Sequence, residues 1–330
     1  MTTTPSCTTT RELLRSNAHR RSVIPAELQS VSRFNAAIKS AAKRLALRSS
    51  IPFERCFGHR VEGAFGILMY HRVTPIVPGL PTPTWNVTPD RFRRQLLGLL
   101  RRGFQPWPLR EVLARAAAGR PIPENTFVVT FDDGYANNYH CGWPILRELS
   151  VPATIFLATA YLDDARRFPF DDWTAAGSPR APREAWVPLS TSQCREMLDD
   201  GLIELGAHTH THGDFRNEPE KLRRDLLECR SVLRSKFGLN DATFAFPYGT
   251  KRLGFSGPDL AQAAEAAGML CSLTTERELV QPGTRPFDWG RFTAEQADTA
   301  ATLAVKLTGW FEQMRRMWRA LRRNGKECRR

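Results

Sequence analysis

Six short apolar runs, each followed closely by polar or ionisable residues or a turn, constrain the fold of this 330-residue chain more than any other feature. They are FGILMY (65–70), TFVVTF (126–131), ATIFLA (153–158), LIELGA (202–207), ATFAF (242–246) and MLCSLTT (269–275). Rich in β-branched and aromatic residues and too short for helices, they predict strands. Between them lie stretches such as PDRFRRQLLGLLRRG (89–103) and PEKLRRDLLECRSVLRSKFG (219–238). Leu or Phe at three- and four-residue spacing, closed by glycine, predicts amphipathic helices there. Strand alternating with helix predicts a parallel sheet. An open doubly wound sheet usually shows a glycine-rich phosphate turn, and the chain has neither GxGxxG nor GxxxxGK[ST]. A barrel of parallel strands instead brings the residues after its strands to one rim.

Those residues carry chemistry. His71 follows the first strand, Asp132 and Asp133 the second, His208, His210 and His212 the fourth, and Pro247 and Tyr248 the fifth. Adjacent residues at a strand end point in different directions, so the two carboxylates divide the work, one for a metal and one for a proton. His208 and His212, four apart, place two imidazoles on one side of a helical turn. With one Asp they form a His, His, Asp set that leaves coordination positions open for water, a hydrolytic arrangement rather than a structural one. Taken alone, Asp-Asp-Gly reads equally well as a turn ending a strand.

On these residues the sequence resembles the NodB-homology polysaccharide deacetylases, carbohydrate esterase family four. Thr130 to Gly134 match its T-F-D-D-G motif, and His208 to His212 match H-[S/T]-x-x-H. LMYHR (68–72), PATIF (152–156) and FAFPYG (244–249) resemble the branch found with exopolysaccharide biosynthesis, and the similarity runs from about residue 61 to 293. The resemblance implies an α/β fold, a distorted (β/α) barrel of the glycoside hydrolase/deacetylase type. It also implies metal-dependent removal of N-acetyl groups from an amino sugar in a polysaccharide or lipid-linked saccharide. Asp133, His208 and His212 would hold the divalent metal, usually Zn2+, with Asp132 as general base and the Tyr248 backbone N–H facing the oxyanion. His210 occupies the family's variable position. Two positions depart from the pattern. Ala245 stands where an arginine normally orients the base, with Arg291 in RPFDWGRF (285–292) as substitute. CSLTT (271–275) lacks the late histidine of the family, which makes His71, on the same rim, the candidate general acid, the alternative being a buried histidine hydrogen-bonded near the metal. A catalytically impaired carbohydrate-binding relative and a metal amidase acting on a non-sugar amide are the alternatives.

The net charge of +13 belongs to the ends of the chain. Residues 1–60 hold eleven Lys and Arg against three acids, and residues 301–330 hold nine against two, so the rest is close to neutral. This divides the chain into a basic N-terminal extension (1–60), a deacetylase barrel (61–293) and a basic amphipathic C-terminal helix (294–330). Leu303, Leu307, Trp310, Phe311, Met314, Trp318 and Leu321 form one stripe of that helix, bordered by Lys306, Arg315, Arg316, Arg319, Arg322 and Arg323. The stripe packs on the barrel or lies on an anionic membrane surface. Neither end shows a nucleic-acid module, and no nucleic acid is expected as partner. No apolar run approaches the ~18 residues of a membrane span. Seven scattered cysteines without a CxxC pair, and no signal-peptide pattern, predict a cytoplasmic protein, at most peripheral at the inner face of the membrane. Residues 161–190 read as an insertion, either a lid beside the rim or a surface loop burying Trp173 and Trp186.

Overall fold

The expected strands form with boundaries shifted by no more than two residues at either end. In the computed structural model, which describes residues 63–171, 181–281 and 283–309, they are β1 (Gly66–Tyr70), β2 (Thr126–Phe131), β3 (Ala153–Leu157), β4 (Ile203–Ala207), β5 (Ala242–Ala245) and β6 (Met269–Leu273). A seventh, β7 (Phe292–Thr293), is only two residues long. All pair in parallel, and the order β7-β1-β2-β3-β4-β5-β6 follows the chain except that β7 returns beside β1. The segment leading into β7 also reaches the other end of the sheet. Trp289 bridges Leu273 of β6 in parallel, the Thr274 N–H donates to the Trp289 carbonyl at 2.8 Å, and the Arg291 N–H donates to Glu276 at 2.8 Å. Residues 289–293 therefore join both edges and curl the sheet into a distorted (β/α) barrel, as expected. Closure satisfies backbone groups that an open edge would expose.

Strand periodicity sorts the side chains. Phe127, Val129 and Phe131 face outward into the main core with Phe92, Leu96 and Leu99 of helix α1 (Pro89–Leu100). That helix starts on Pro89 with Thr88 as N-cap, and its apolar residues recur at helical spacing. Helix α2 (Leu109–Ala117) covers the bottom of the barrel, where Leu109 and Val112 join the inward-facing Ile67, Val128 and Phe156. Helices α3 (Trp143–Leu149), α4 (Thr191–Asp199), α5 (Pro219–Phe237) and α6 (Pro258–Ala266) cover the outside. In α5 the buried residues are Leu222, Leu226, Cys229 and Leu233, and the helix ends at Gly238 with φ 70°.

One carboxylate is built into the bottom of the barrel. Glu204 of β4 points inward and accepts from Thr154 Oγ1 at 2.9 Å and from the Arg110 N–H at the start of α2, at 3.3 Å. Burial pushes its pKa up, against the lowering effect of these donors.

The C-terminal stripe is described only in its first turns, and there its border differs from expectation at Lys306. Helix α7 covers only Ala300–Leu307, capped by Thr299, and Gly309 follows at φ 72°. Leu303 and Leu307 are buried in the main core, so this part of the stripe packs on the barrel. Lys306, expected on a solvated or lipid-facing border, is buried and donates to Asp298 at 2.6 Å and to the Thr293 carbonyl at 2.9 Å. A lysine in this position ties α7 to β7, because a buried ammonium needs both a counter-charge and hydrogen bonds. Trp310, Phe311, Met314, Trp318 and Leu321, and the basic N-terminal extension, lie outside the described residues. Among the described residues no helix is long and apolar enough to cross a membrane.

Candidate active site

The β2 periodicity that buries Val128 and Thr130 inside the barrel also points Asp132 inward at its upper rim. The next residue, Asp133, sits at φ 71°, and the Gly134 N–H donates back to the Asp132 carbonyl at 2.9 Å, a three-residue turn of the γ type. Gly134 follows at φ 81°, and a Cβ there would lie 2.6 Å from Leu157 Cδ2. The turn thus separates two adjacent carboxylates and gives each its own partners.

Asp133 faces two imidazoles. Its Oδ1 lies 3.5 Å from His208 Nε2 and 3.3 Å from His212 Nε2. One ligand atom from each of the three residues lies within 4.8 Å of the others, and all three residues are buried. His208 follows β4 and is oriented by its Nδ1, 2.8 Å from the Ala245 carbonyl, which leaves Nε2 turned to the site. A backbone acceptor on Nδ1 is the usual way a metal-binding histidine is fixed in tautomer and direction. His212 is reached through a loop with Thr209 at φ 66° and His212 itself at φ 53°, the His212 N–H donating to Thr209 Oγ1 at 2.9 Å. Such backbone costs ~1–3 kcal/mol per residue and persists only where surroundings enforce it. Here Asp225 of α5 does so, accepting from the His210 N–H, from Thr211 Oγ1 at 2.5 Å and from the Thr211 N–H at 3.3 Å. The His210 ring turns away to Thr159 Oγ1, 2.9 Å from its Nδ1.

Asp132 faces a guanidinium instead. Arg291, fully buried, donates Nη1 to Asp132 Oδ1 at 2.6 Å and Nη2 to Oδ2 at 2.8 Å, with further bonds to Thr130 Oγ1 and the Thr274 carbonyl at 3.2 Å. Burial raises the Asp132 pKa, but Arg291 and then His208 overcome it and hold the carboxyl below its ordinary value. Burial also raises the Asp133 pKa, and the hydrogen bonds from His208 and His212 bring it well below normal. For His208, burial lowers the pKa and the two aspartates raise it, with a net upward shift.

Three more residues line the same cavity of about 670 Å³. His71 continues the inward face of β1 after Met69, and its Nδ1 is buried without a protein partner. Burial lowers its pKa, against the raising effect of Asp133 and Asp132. Tyr248 sits at φ 63° in a second γ-type turn, the Gly249 N–H donating to the Pro247 carbonyl at 2.6 Å. Its half-exposed ring lies edge-on to His212 at 5.2 Å. Phe170 stacks on His212 with ring centroids 3.8 Å apart. Phe170 belongs to the 161–190 insertion, which approaches the rim through Phe168 and Phe170. A buried ion pair between Arg72 and Asp171, 2.7 Å apart and shared with the Tyr135 hydroxyl at 2.6 Å, anchors it. Trp186 is half-buried, and Trp173 lies outside the described residues.

The structure thus gathers Asp132, Asp133, His208, His212, Arg291, His71 and Tyr248 at one rim. Asp225, Phe170 and the Arg72–Asp171 pair are additions. Asp225 lies among the charges of an amphipathic helix, where sequence alone reads a solvated face.

A parallel barrel with paired aspartates and two histidines at its rim has the form of a hydrolase site. Comparison with known proteins identifies the domain. Residues 119–271 match the polysaccharide deacetylase family, and the chain carries a polysaccharide deacetylase domain of the NodB-homology type. The poly-beta-1,6-N-acetyl-D-glucosamine N-deacetylase of Escherichia coli (strain K12) is 26% identical over 195 residues, covering 50% of this chain. The Staphylococcus aureus (strain MSSA476) protein of the same name is 24% identical over 212 residues, covering 62% of this chain. The chain spans 28% of the first relative's length and 66% of the second's. Among solved structures, IcaB from Ammonifex degensii aligns with a TM-score of 0.60 at 22% identity, over 74% of this chain and all of its own. Streptococcus pyogenes deacetylase PplD in complex with acetate aligns with a TM-score of 0.60 at 20% identity, over 76% of this chain and 99% of its own. These likenesses establish the barrel fold.

Proposed function

We propose that the protein is a metal-dependent hydrolase that removes N-acetyl groups from an amino sugar within an exopolysaccharide-type chain. The observation that carries this reading is the opposite surroundings of two neighbouring carboxylates, Asp133 between two imidazoles and Asp132 against a guanidinium. Two histidine nitrogens and one carboxylate oxygen suit a divalent cation, zinc first among them, and leave positions open. Asp133, His208 and His212 would hold it. When bound, such an ion supplies Lewis acidity to the acetamide carbonyl and to water.

The remaining work falls to the chain's own residues. Asp132, kept ionised by Arg291, takes the proton from the attacking water. Arg291 also holds both carboxylate oxygens at once, so the base is oriented as well as charged. The γ-type turn at Pro247–Gly249 fixes the Tyr248 amide, which donates to the developing oxyanion. Burial lowers the His71 pKa, and His71 serves the leaving amine by passing on to it the proton that Asp132 took from the water, which returns Asp132 to its ionised form. Ala245 taken alone favours a catalytically impaired relative, but the Arg291 contact with Asp132 supplies the cation that Ala245 lacks.

The test is acetate release from N-acetylglucosamine oligomers by zinc-loaded protein, measured beside Asp132→Asn. Loss of a general base predicts a rate lower by ~10²–10⁴-fold. Acetate release unaffected by the substitution, or none from any acetylated saccharide by the unsubstituted protein, would sink the reading.

A further inference from the structure

Large apolar side chains are exposed at only six positions among the described residues, and three of them, Trp85, Tyr248 and Leu253, line the cavity above Asp132 and Asp133. Single exposed apolar residues are ordinary, whereas a concentration of them around one polar cavity marks a binding surface. Trp85 is the largest of the three, and 55% of it is exposed.

Its position is enforced by the backbone around it. Trp85 has φ 54°, a region that bulky side chains rarely occupy. Asn86 and Val87 pair in parallel with Arg72 and Val73, and the Trp85 carbonyl accepts from the Arg72 N–H at 3.4 Å. The buried Asn86 side chain locks the same ladder, accepting from the Thr74 N–H at 3.0 Å and donating to the Thr74 carbonyl at 2.9 Å. Strain of this kind persists where the surroundings over-determine it. One face of the indole lies nearly parallel to the His71 ring, with centroids 5.6 Å apart and planes at 21°. The exposed remainder is an aromatic surface held at a fixed angle beside the reacting position.

We infer that Trp85 forms a saccharide subsite, stacking on the pyranose ring next to the one whose acetamide enters the site. This rests on the proposed deacetylase function and names how the polymer is held. The pyranose presents an apolar face of C–H groups that matches an indole, and its hydroxyls stay in water. A rigid aromatic provides contact area at little entropic cost. The cavity volume of about 670 Å³ lies well inside the ~300–1,000 Å³ range of small-molecule sites. It therefore has room for rings beyond the reacting one. Tyr248 and Leu253 bring exposed apolar surface from the β5–α6 connection to the same cavity. The site therefore prefers an oligomer to a monosaccharide.

The test measures binding apart from turnover. N-acetylglucosamine monomer and pentamer are titrated calorimetrically into the full chain and its Trp85→Ala and Trp85→Phe variants, and acetate release is followed on the same sugars. The expected result is a pentamer affinity about tenfold weaker in Trp85→Ala, ~1.4 kcal/mol, with most of it restored in Trp85→Phe. KM for the pentamer should rise more than kcat falls. Pentamer binding equal in Trp85→Ala and the unsubstituted protein overturns the subsite and leaves the deacetylase function intact. Pentamer binding no tighter than monomer binding also overturns it. A protein that binds the pentamer through Trp85 yet releases no acetate would keep the subsite and reject the activity.

Discussion

Replacing Arg291 with methionine removes a fully buried guanidinium from a carboxylate that, among the described residues, has no other cation at bonding distance. Methionine keeps much of the side-chain volume next to Phe156, whose ring lies 5.6 Å from the Arg291 Cζ. The main loss is then electrostatic. Two charge-assisted bonds of 2.6 and 2.8 Å disappear and Asp132 is left charged in the barrel interior. Stranding one member of a buried pair costs ~3–5 kcal/mol. Lysine keeps the charge but not the planar fork, and should fall between the two. Urea unfolding of metal-free protein measures the loss by linear extrapolation. The decisive comparison is Arg291→Met made in an Asp132→Asn background, where no carboxylate is stranded and the cost should shrink by more than ~0.5 kcal/mol. The sign with pH follows. In the unsubstituted protein the depressed Asp132 pKa contributes stability above its unfolded value of ~3.9, lost as pH falls through the folded value. In Arg291→Met, burial acts without its main opponent and raises that pKa, so the gap between the two proteins widens as pH rises above ~4. Equal costs in the Asp132 and Asp132→Asn backgrounds would refute the electrostatic account of this pair.

Two further outcomes follow from other parts of the barrel. Asp225→Ala removes the acceptor for three donors of the loop between His208 and His212, and should weaken zinc affinity by ~10–100-fold, with Asp225→Asn intermediate. Competition with a chromophoric chelator checks it, and unchanged affinity in Asp225→Ala would mean the loop keeps its shape unaided. Glu204 titrates in the opposite sense to Asp132, because burial raises its folded pKa. Its burden on stability therefore grows as pH rises from the unfolded value of ~4.3 through the folded one, and Glu204→Gln should remove that slope. Unfolding free energies of both proteins from pH 4 to 7 that run parallel would reject it.

Strands and the inner row of the site were legible because both depend on local pattern. TFVVTF and LIELGA read as strands without any tertiary information, and Asp132, Asp133, His208 and His212 follow them directly. The strand that closes the barrel was not legible, since β7 has two residues and lies beyond a segment containing Pro and Gly, where no period of two can register. Lys306 was misplaced for a related reason. On a helical wheel it borders an apolar stripe, and only the Asp298 carboxylate and the Thr293 carbonyl, supplied by the tertiary fold, make its burial tolerable. Trp85 gave no signal at all, because its role depends on a left-handed backbone and on the ladder between Arg72 and Asn86.

The closing segment has a consequence for how the protein comes into being. Arg291 lies 159 residues after the aspartate it holds, and contacts of such separation form slowly. A chain growing from its N-terminus carries Asp132, Asp133, His208 and His212 well before residue 291 is made. Until residues 289–293 bridge the two sheet edges, the base has no counter-charge and the interior has no seal. Completion of the barrel and arming of the site are one event, so a nascent or stalled chain is expected to be chemically silent.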